Sequence, residues 1–350
     1  MKTKNISIST PDKLGMISNL ATMLAAGISI LETVDSLLED SKGNQRKILE
    51  ELRSDLTQGN HISASFAKFP RVFDNVTVNL IKAAEEAGTL DVTLKDLKDT
   101  IKRDAEFKDK IRSAMIYPSL IMVVFLGVLI MILYVVVPKI STVFLKLNAN
   151  LPLPTKILIF LSQILTTQTP LAIGVSVAFI GGIVFLYKRN RGLFLNVLFS
   201  LPLVTQLVKE IDLARFSRSM YLLLNAGIPI TSALDLGQEV VLKKEVRQAI
   251  LKGKEMVTAG NKFSEGLKNA KHIFPSIMVK IIEAGEKSGS LDKSMLDVSD
   301  YLDYKVQNTL GLLVTIIEPL MLLVVGVMVG GMMLSIIAPI YGLIGSVGAH

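Results

Sequence analysis

The 350-residue sequence contains no cysteine and no tryptophan, and it has only three histidines. The absence of cysteine excludes a disulfide framework, thiolate catalysis and any cysteine-ligated metal. The histidines, His61, His272 and His350, lie far apart, so no metal-binding spacing such as H-E-x-x-H occurs. We therefore expect no bound transition metal.

Motifs for catalysis are also missing from the sequence. There is no G-x-x-x-x-G-K-[ST] phosphate-binding loop and no G-x-S-x-G nucleophile elbow. The apolar stretches contain no cluster of carboxylates of the kind that an intramembrane aspartyl protease requires. We therefore predict that the protein is not an enzyme and that it binds no cofactor.

Charge and hydrophobicity are unevenly distributed along the chain. Half of the residues are hydrophobic and the mean hydropathy is +0.48, although 20% of the residues are charged. Residues 1–113 carry 17 basic and 17 acidic residues, residues 114–187 carry three lysines and no acid, and residues 188–309 carry 18 basic and 13 acidic residues. A basic region beside a membrane suits anionic lipid as well as nucleic acid. Because no basic groove with interleaved aromatic residues occurs, we expect no nucleic-acid binding.

Three stretches are long and apolar enough to cross a bilayer as a helix, which takes about 20 residues. They are residues 114–137, 171–187 and 310–337. The N-terminus is polar and shows no cleavable signal peptide, so the first span is expected to act as an internal anchor. We therefore predict a multi-pass membrane protein.

Basic residues beside the spans predict the orientation, since they concentrate on the cytosolic side. Nine of them flank the proposed cytosolic ends: Lys102, Arg103, Lys108, Lys110, Arg112, Lys188, Arg189, Arg191 and Lys305. The segment between spans one and two has three lysines, and the tail after span three has none. We expect residues 1–113 and 188–309 to form cytosolic domains, and the loop 138–170 and the tail 338–350 to lie outside.

The sequence repeats itself at an offset of about 200 residues. The segment 24–30 (LAAGISI) aligns with the segment 224–230 (LNAGIPI), and after one inserted residue the offset becomes 201 as far as Pro138 and Pro339. Apolar residues recur at helical spacing without sustained alternation. The sequence therefore predicts an all-α membrane protein with two repeated cytosolic helical bundles and three transmembrane helices. Both repeats end in an outward span, so span two is expected to return the chain, leaving the two halves parallel.

Paired glycines predict where helices end. Gly27 and Gly227 follow an apolar helical face and suit the left-handed residue that stops a helix. Gly88 and Gly289 mark a second stop at equivalent positions of the two repeats.

The second pair of glycines belongs to a repeated motif with two interpretations. One is local geometry, in which a glycine stop precedes a buried leucine and an aspartate N-cap. The other is that the glutamates of the motif contact a partner or a cation. The motif comprises Glu85, Gly88, Leu90 and Asp91 in the first repeat and Glu286, Gly289, Leu291 and Asp292 in the second.

Small residues at intervals of four form faces on which membrane helices approach closely. They are Gly174, Ala178 and Gly182 in span two, and Gly326 and Gly330 in span three. These faces pack the three spans together, or they contact another protomer or a passing hydrophobic helix. Prolines are expected near both ends of spans one and three: Pro118, Pro138, Pro319 and Pro339.

Glu318 is the only acidic residue in any predicted span, and it adjoins Pro319. An ionisable residue inside a membrane helix is a functional candidate by default. Glu318 lies only about two turns from the cytosolic end, so a structural role beside the proline competes with a proton relay.

Several segments together resemble one known family over nearly the whole chain. They are the two Leu-x-Ala-Gly-Ile-x-Ile segments, the two Glu-x-x-Gly-x-Leu-Asp turns, Tyr117-Pro118, Val137-Pro138, Leu151-Pro152-Leu153-Pro154-Thr155, Ala214-Arg215-Phe216-Ser217-Arg218 and Glu318-Pro319. As a set they resemble the type II secretion F / type IV pilus PilC inner-membrane platform family.

The resemblance implies two cytosolic domains of about six helices each in a homo-oligomer of the inner membrane. It further implies contacts with a hexameric secretion ATPase, with pilin or pseudopilin, and with other inner-membrane assembly proteins. Such a platform is non-enzymatic and couples the ATPase to subunit assembly in a type IV pilus, a type II secretion system or a competence pseudopilus. The alternative is a small membrane transporter or channel, for which three spans with one charged residue offer little to line a pore.

Overall fold

The computed structural model describes residues 5–146, 155–157, 159–160, 162–163 and 202–347. Within these residues the regular structure is helical and no strand occurs, in agreement with the predicted all-α class. The predicted second span and its small-residue face, Gly174, Ala178 and Gly182, lie outside the described residues.

Each repeat contributes six α-helices to the described part of the chain, which agrees with the number that the family resemblance implied. The first repeat forms α1 (Thr10–Ala25), α2 (Ile30–Asp40), α3 (Gly43–Thr57), α4 (Ile62–Ala67), α5 (Asn75–Ala87) and α6 (Leu90–Met131). A π-helical turn (Ile132–Val136) then leads into α7 (Val137–Lys146). The second repeat forms α8 (Pro202–Asn225), α9 (Ile230–Gly237), a 3₁₀ turn (Gln238–Val240), α10 (Lys244–Thr258), α11 (Phe263–Lys268), α12 (Ser276–Ser288) and α13 (Leu291–Val347).

The first helix of each repeat ends at the predicted glycine. Gly27 has φ +83° and Gly227 has φ +79°, a left-handed conformation that glycine adopts without a steric penalty. In both repeats the next residue closes the end: the amide of Ile28 donates to the carbonyl of Met23, and the amide of Ile228 donates to that of Leu223, each at 3.0 Å. These hydrogen bonds form a Schellman motif and satisfy carbonyls that the end of a helix would otherwise leave unpaired.

Each repeat has its own hydrophobic core. In the first, Met16 and Leu20 of α1 pack with the stacked rings of Phe66 and Phe73, whose centroids lie 3.8 Å apart. The second core uses the equivalent helices of the second repeat. Buried side chains of α8, α11 and α13 form it: Phe216, Met220, Phe263, Met295, Val298 and Leu302. At the start of α6, Leu94, Leu97 and Ile101 recur at helical spacing and are buried in the first core.

The two repeats associate closely with each other. Met1–Lys110 and Pro202–Leu310 form one compact unit, where the sequence had suggested two separate domains. Val76 of α5 is buried in the core of the second repeat, and the neighbouring Asn75 donates a 2.8 Å hydrogen bond to Glu239. We call this unit the paired-repeat unit. The remaining described residues of Ile111–Leu201 and Gly311–His350 belong to a second unit.

Two helices in the described part of the chain are long and apolar enough to span a membrane. They cover Leu90–Thr142 and Leu291–Gly331 and overlap predicted spans one and three. Only 17% of the most apolar window of the first helix is buried, and none of that of the second. Apolar side chains that do not pack against other parts of the protein suit a lipid environment.

The prolines that the sequence placed near the ends of span one lie inside helical structure. Pro118 is inside α6, and α7 continues past Pro138 to Lys146. Proline lacks the amide hydrogen that a helix uses. In the π-helical turn the amide of Val137 donates to the carbonyl of Ile132, five residues earlier. By the same pattern the carbonyl of Leu133 would accept from the amide of residue 138, but residue 138 is a proline and has no amide hydrogen. The hydroxyl of Ser162 donates to that carbonyl at 2.6 Å, which lets the helix continue.

Pro319 and Pro339 lie inside α13, which continues beyond the predicted end of span three to Val347. Glu318 is exposed and forms no hydrogen bond or ion pair within the described residues. At Gly326 and Gly330, a Cβ would meet no atom of another described element within 4 Å. Packing of this glycine face against another helix is therefore not observed among the described residues, and both interpretations of the face remain predictions.

Candidate functional site

At the turns around Gly88 and Gly289 the backbone conformation agrees with the prediction, but the N-cap of the following helix is a different residue. Gly88 has φ +69° and Gly289 has φ +71°, so both are left-handed, as expected. The following helices begin at Leu90 and Leu291, which places Thr89 and Ser290 at the N-cap position. The predicted N-caps Asp91 and Asp292 instead lie in the first helical turn. A carboxylate there still stabilises the helix through the helix dipole.

The leucines of the two motifs are only partly buried. Leu90 packs against the first core and Leu291 against the second, where the sequence had suggested buried side chains.

The duplicated glutamates cap a short helix within their own repeat. Glu85 accepts hydrogen bonds from the amides of Ile62 and Ser63 at 2.5 and 3.1 Å, at the start of α4. Glu286 accepts from the amides of Phe263 and Ser264 at 2.6 and 3.2 Å, at the start of α11. The residue that precedes each of these short helices makes no side-chain cap within the described structure. The geometry therefore gives both carboxylates an internal role, which sequence reasoning missed because the capped helix lies 22 to 23 residues upstream.

Close packing of α12 on α13 makes Gly285 sensitive to substitution. A Cβ at this position would lie 2.6 Å from the Cβ of Ser294 and 3.2 Å from the Cα of Leu291. Rotation of the serine hydroxyl cannot relieve a contact with its Cβ. We expect Gly285→Ala to lower the free energy of unfolding by about 1–3 kcal/mol, the usual cost of overpacking.

The matched control for Gly285→Ala is Gly15→Ala. Gly15 is an exposed glycine inside α1, and a Cβ added there would meet no neighbouring atom of the described residues within 4 Å. The substitution should stabilise the protein by about 0.5–1 kcal/mol, because alanine favours the helix over glycine. Denaturant unfolding of the full-length protein in detergent compares the two variants, and equal shifts of the same sign would contradict the close packing of α12 on α13.

A cleft lies between the two repeats within the paired-repeat unit. Its volume is about 840 Å³, within the range of ligand sites. The connection between α4 and α5, the start of α5, and α6 line it from the first repeat. The second repeat lines it with α8, the 3₁₀ turn and α13. Its charged side chains are Asp74, Arg103, Asp104, Glu106, Lys110, Arg215, Arg218, Glu239, Asp300 and Asp303.

An ion-pair network crosses one side of this cleft. Arg103 of α6 donates to Asp300 at 2.6 Å and to Asp303 at 3.4 Å, both on α13. Arg218 of α8 pairs with the same Asp303 and donates to Ser299 at 3.1 Å. The hydrogen bond to Asp300 raises the pKa of the Arg103 guanidinium. Asp303 is therefore shared between an arginine of each repeat.

The cross-repeat contacts of α6 and α13 fix the relative direction of the two helices. Arg103 meets Asp300, and seven residues later Lys110 donates to Gln307 at 3.0 Å. Two contacts separated by the same number of residues on both helices mean that the helices run side by side in the same direction. The parallel arrangement predicted from the repeats therefore holds for this pair.

No group of three or more His, Cys, Asp or Glu side chains is placed to hold a metal ion in the described residues. The cleft combines guanidinium, carboxylate and aromatic side chains, which suits recognition of another chain.

The comparisons with known proteins agree with the repeat. The family described as "Type II secretion system (T2SS), protein F" matches residues 16–138 and again residues 216–339. The chain belongs to this family. The two matched segments are the two repeats, and each includes the apolar stretch that follows its helical bundle.

Curated relatives cover most of the chain. The type IV pilus assembly protein PilC of Thermus thermophilus is 31% identical over 331 residues, which is 93% of this chain and 81% of the relative. PilC of Pseudomonas aeruginosa is 32% identical over 330 residues, 93% of this chain and 87% of the relative. The type II secretion system protein F of Pseudomonas aeruginosa is 30% identical over 342 residues, 96% of this chain and 84% of the relative.

Proposed function

We propose that this member of the type II secretion F family is the inner-membrane platform of a type IV pilus, type II secretion or competence pseudopilus machine. It couples a cytosolic secretion ATPase to the assembly of pilin or pseudopilin subunits, acts as a homo-oligomer beside other inner-membrane assembly proteins, and catalyses no reaction itself. The names of the relatives support the type of machine, since they are described as pilus assembly and type II secretion proteins.

One structural observation carries the coupling proposal. α6 and α13 each combine side chains of a repeat core with an apolar stretch long enough to span a membrane. Cross-repeat contacts tie these two helices together at residues 103–110 and 300–307, only a few residues before the apolar stretches begin. A displacement of the repeats would therefore reach both apolar helices together.

Copurification tests the coupling to an ATPase. The tagged full-length protein, extracted from its own cells in mild detergent, should retain a hexameric ATPase that carries a phosphate-binding loop. An unrelated inner-membrane protein with the same tag should not. If in-cell crosslinking and purification both recover the platform without an ATPase, the coupling proposal is wrong.

Reporter fusions test the proposed topology, because each fusion site is either cytosolic or extracytoplasmic. Reporter fusions at Asn60 and Lys262 should both be cytosolic, because the two repeats form one unit and basic residues flank the spans. A fusion at Asn150 should be extracytoplasmic. Alkaline phosphatase activity, which appears only outside the cytosol, distinguishes the sites. Opposite locations for Asn60 and Lys262 would contradict both the proposed orientation and the pairing of the repeats.

A further inference from the structure

The cleft between the repeats contains polar groups that have no partner among the described residues. Ser219 of α8 is only 8% exposed and lines the cleft, and its hydroxyl forms no hydrogen bond in the described part of the chain. Arg215, one turn earlier on the same helix, is half-buried and lines the same cleft, and within the described residues it forms no hydrogen bond or ion pair. Both groups are open to the cleft and can bond a ligand there. These two groups therefore form one wall that lacks a hydrogen-bond acceptor.

Asp212, on the same helix, does not supply that acceptor. Burial raises the pKa of the Asp212 carboxyl, and the charge of Arg215 offsets this rise only in part. The oxygens of Asp212 accept hydrogen bonds from the amides of Leu242 and Lys243 at 2.9 and 2.7 Å. The other arginines of the cleft, Arg103 and Arg218, are already paired with carboxylates. Among the described side chains of the cleft, Arg215 is thus the guanidinium that remains available to a ligand.

The first repeat contributes an unpaired group of opposite charge. Asp104 of α6 lines the cleft and forms no hydrogen bond or ion pair with any residue that the structure describes. The charge of Asp104 acts on Lys13, whose ammonium donates its hydrogen bond to the carbonyl of Val72 at 2.6 Å. The rings of Phe107 and Tyr304 also line it, and Tyr304 is 65% exposed. Aromatic faces and a carboxylate together favour a cationic group. The cleft therefore offers carboxylate-binding groups on α8, and cation-binding groups from Asp104 and Phe107 of α6 and Tyr304 of α13.

The position of the cleft along the chain suggests what reaches it. Lys110 and Gln307, which line it, lie a few residues before the apolar stretches predicted to begin at 114 and 310. A ligand at this level lies close to the cytosolic membrane surface. A volume of about 840 Å³ exceeds what two side chains need and accommodates a short stretch of polypeptide.

We propose that the cleft binds a short polypeptide segment at the cytosolic end of a membrane-inserted partner. The segment presents a carboxylate to Arg215 and Ser219 and a cationic group to Asp104, Phe107 and Tyr304. This assignment rests on the proposed function, because it takes the partner to be a subunit that the platform handles in the membrane.

A double-mutant cycle tests the proposal with the purified full-length protein in detergent. The probes are short fluorescein-labelled peptides with one Glu and one Lys at different separations, and the same peptides with Gln in place of either residue. Fluorescence polarisation should show that the Glu-to-Gln peptide binds wild-type protein about tenfold more weakly, the usual effect of one lost charge-assisted hydrogen bond. Arg215→Gln should bind both peptides equally, and Asp104→Asn should no longer distinguish Lys from Gln.

Matched controls separate the cleft from the general surface charge. Lys47→Gln on α3 and Glu39→Gln on α2 change the same charges at exposed positions outside the cleft, and both should keep the preferences of the wild-type protein. The proposal is wrong if the cleft variants keep those preferences as well, or if free glutamate and lysine compete as strongly as the peptides. A third outcome is that the protein distinguishes the peptides but cells assemble filaments without it. In that case the binding site is supported and the proposed function is wrong.

Discussion

Asp303→Ala is expected to lower the free energy of unfolding of the paired-repeat unit by about 3 kcal/mol. The side chain of Arg218 is only 10% exposed and relies on Asp303 for a carboxylate partner. After the substitution, Arg218 keeps the hydroxyl of Ser299 and loses its counter-ion. A buried guanidinium without a carboxylate is costly because it cannot recover its hydration. Denaturant or thermal unfolding of the full-length protein in detergent measures the loss.

Asp300→Ala is the matched control. Arg103 pairs with both Asp300 and Asp303, so this variant also removes a carboxylate partner of Arg103, but it leaves the pair between Arg218 and Asp303 in place. The Asp300–Arg103 pair is exposed, with side chains 52% and 47% accessible. Exposed ion pairs contribute at most about 1 kcal/mol, so this variant should unfold close to the wild type. Equal destabilisation by the two variants would contradict the view that the shared aspartate matters through the buried Arg218.

The sequence predicted features whose signal is local or repeated. Gly27 and Gly227 could be assigned because a helix that ends in a left-handed residue favours glycine, and the repeat showed the same signal twice. The helical spacing of Leu94, Leu97 and Ile101 is a local signal as well, and all three are buried in the first core, although α6 begins at Leu90, before the predicted N-cap Asp91.

Features that depend on contacts distant in sequence could not be predicted. Nothing near Arg103 indicates that its partners lie 197 and 200 residues later on α13. Glu85 could not be assigned as a cap. The helix that it caps, α4, lies upstream, and the residue before that helix, His61, is not a usual N-cap. Ser162 supplies a hydrogen bond at the carbonyl that Pro138 leaves free, so the end of the helix could not be predicted from the proline alone.

Deletion of the gene should abolish assembled surface filaments. Under the proposed function, assembly depends on an ATPase elsewhere, because this sequence has no phosphate-binding loop, and on a physical link to the membrane. If the tied helices α6 and α13 provide that link, no other part of the machine replaces them. The effect should therefore be all-or-none, while synthesis of the subunits continues.

The most direct test measures the pilin or pseudopilin recovered from the cell surface, relative to total subunit, in wild-type, deletion and complemented strains. We predict no surface subunit in the deletion strain, normal total subunit, and full recovery on complementation. Exposed-surface variants such as Lys47→Gln should complement as well as the wild type. Normal surface filaments in the deletion strain would contradict the claim that this protein is the assembly platform.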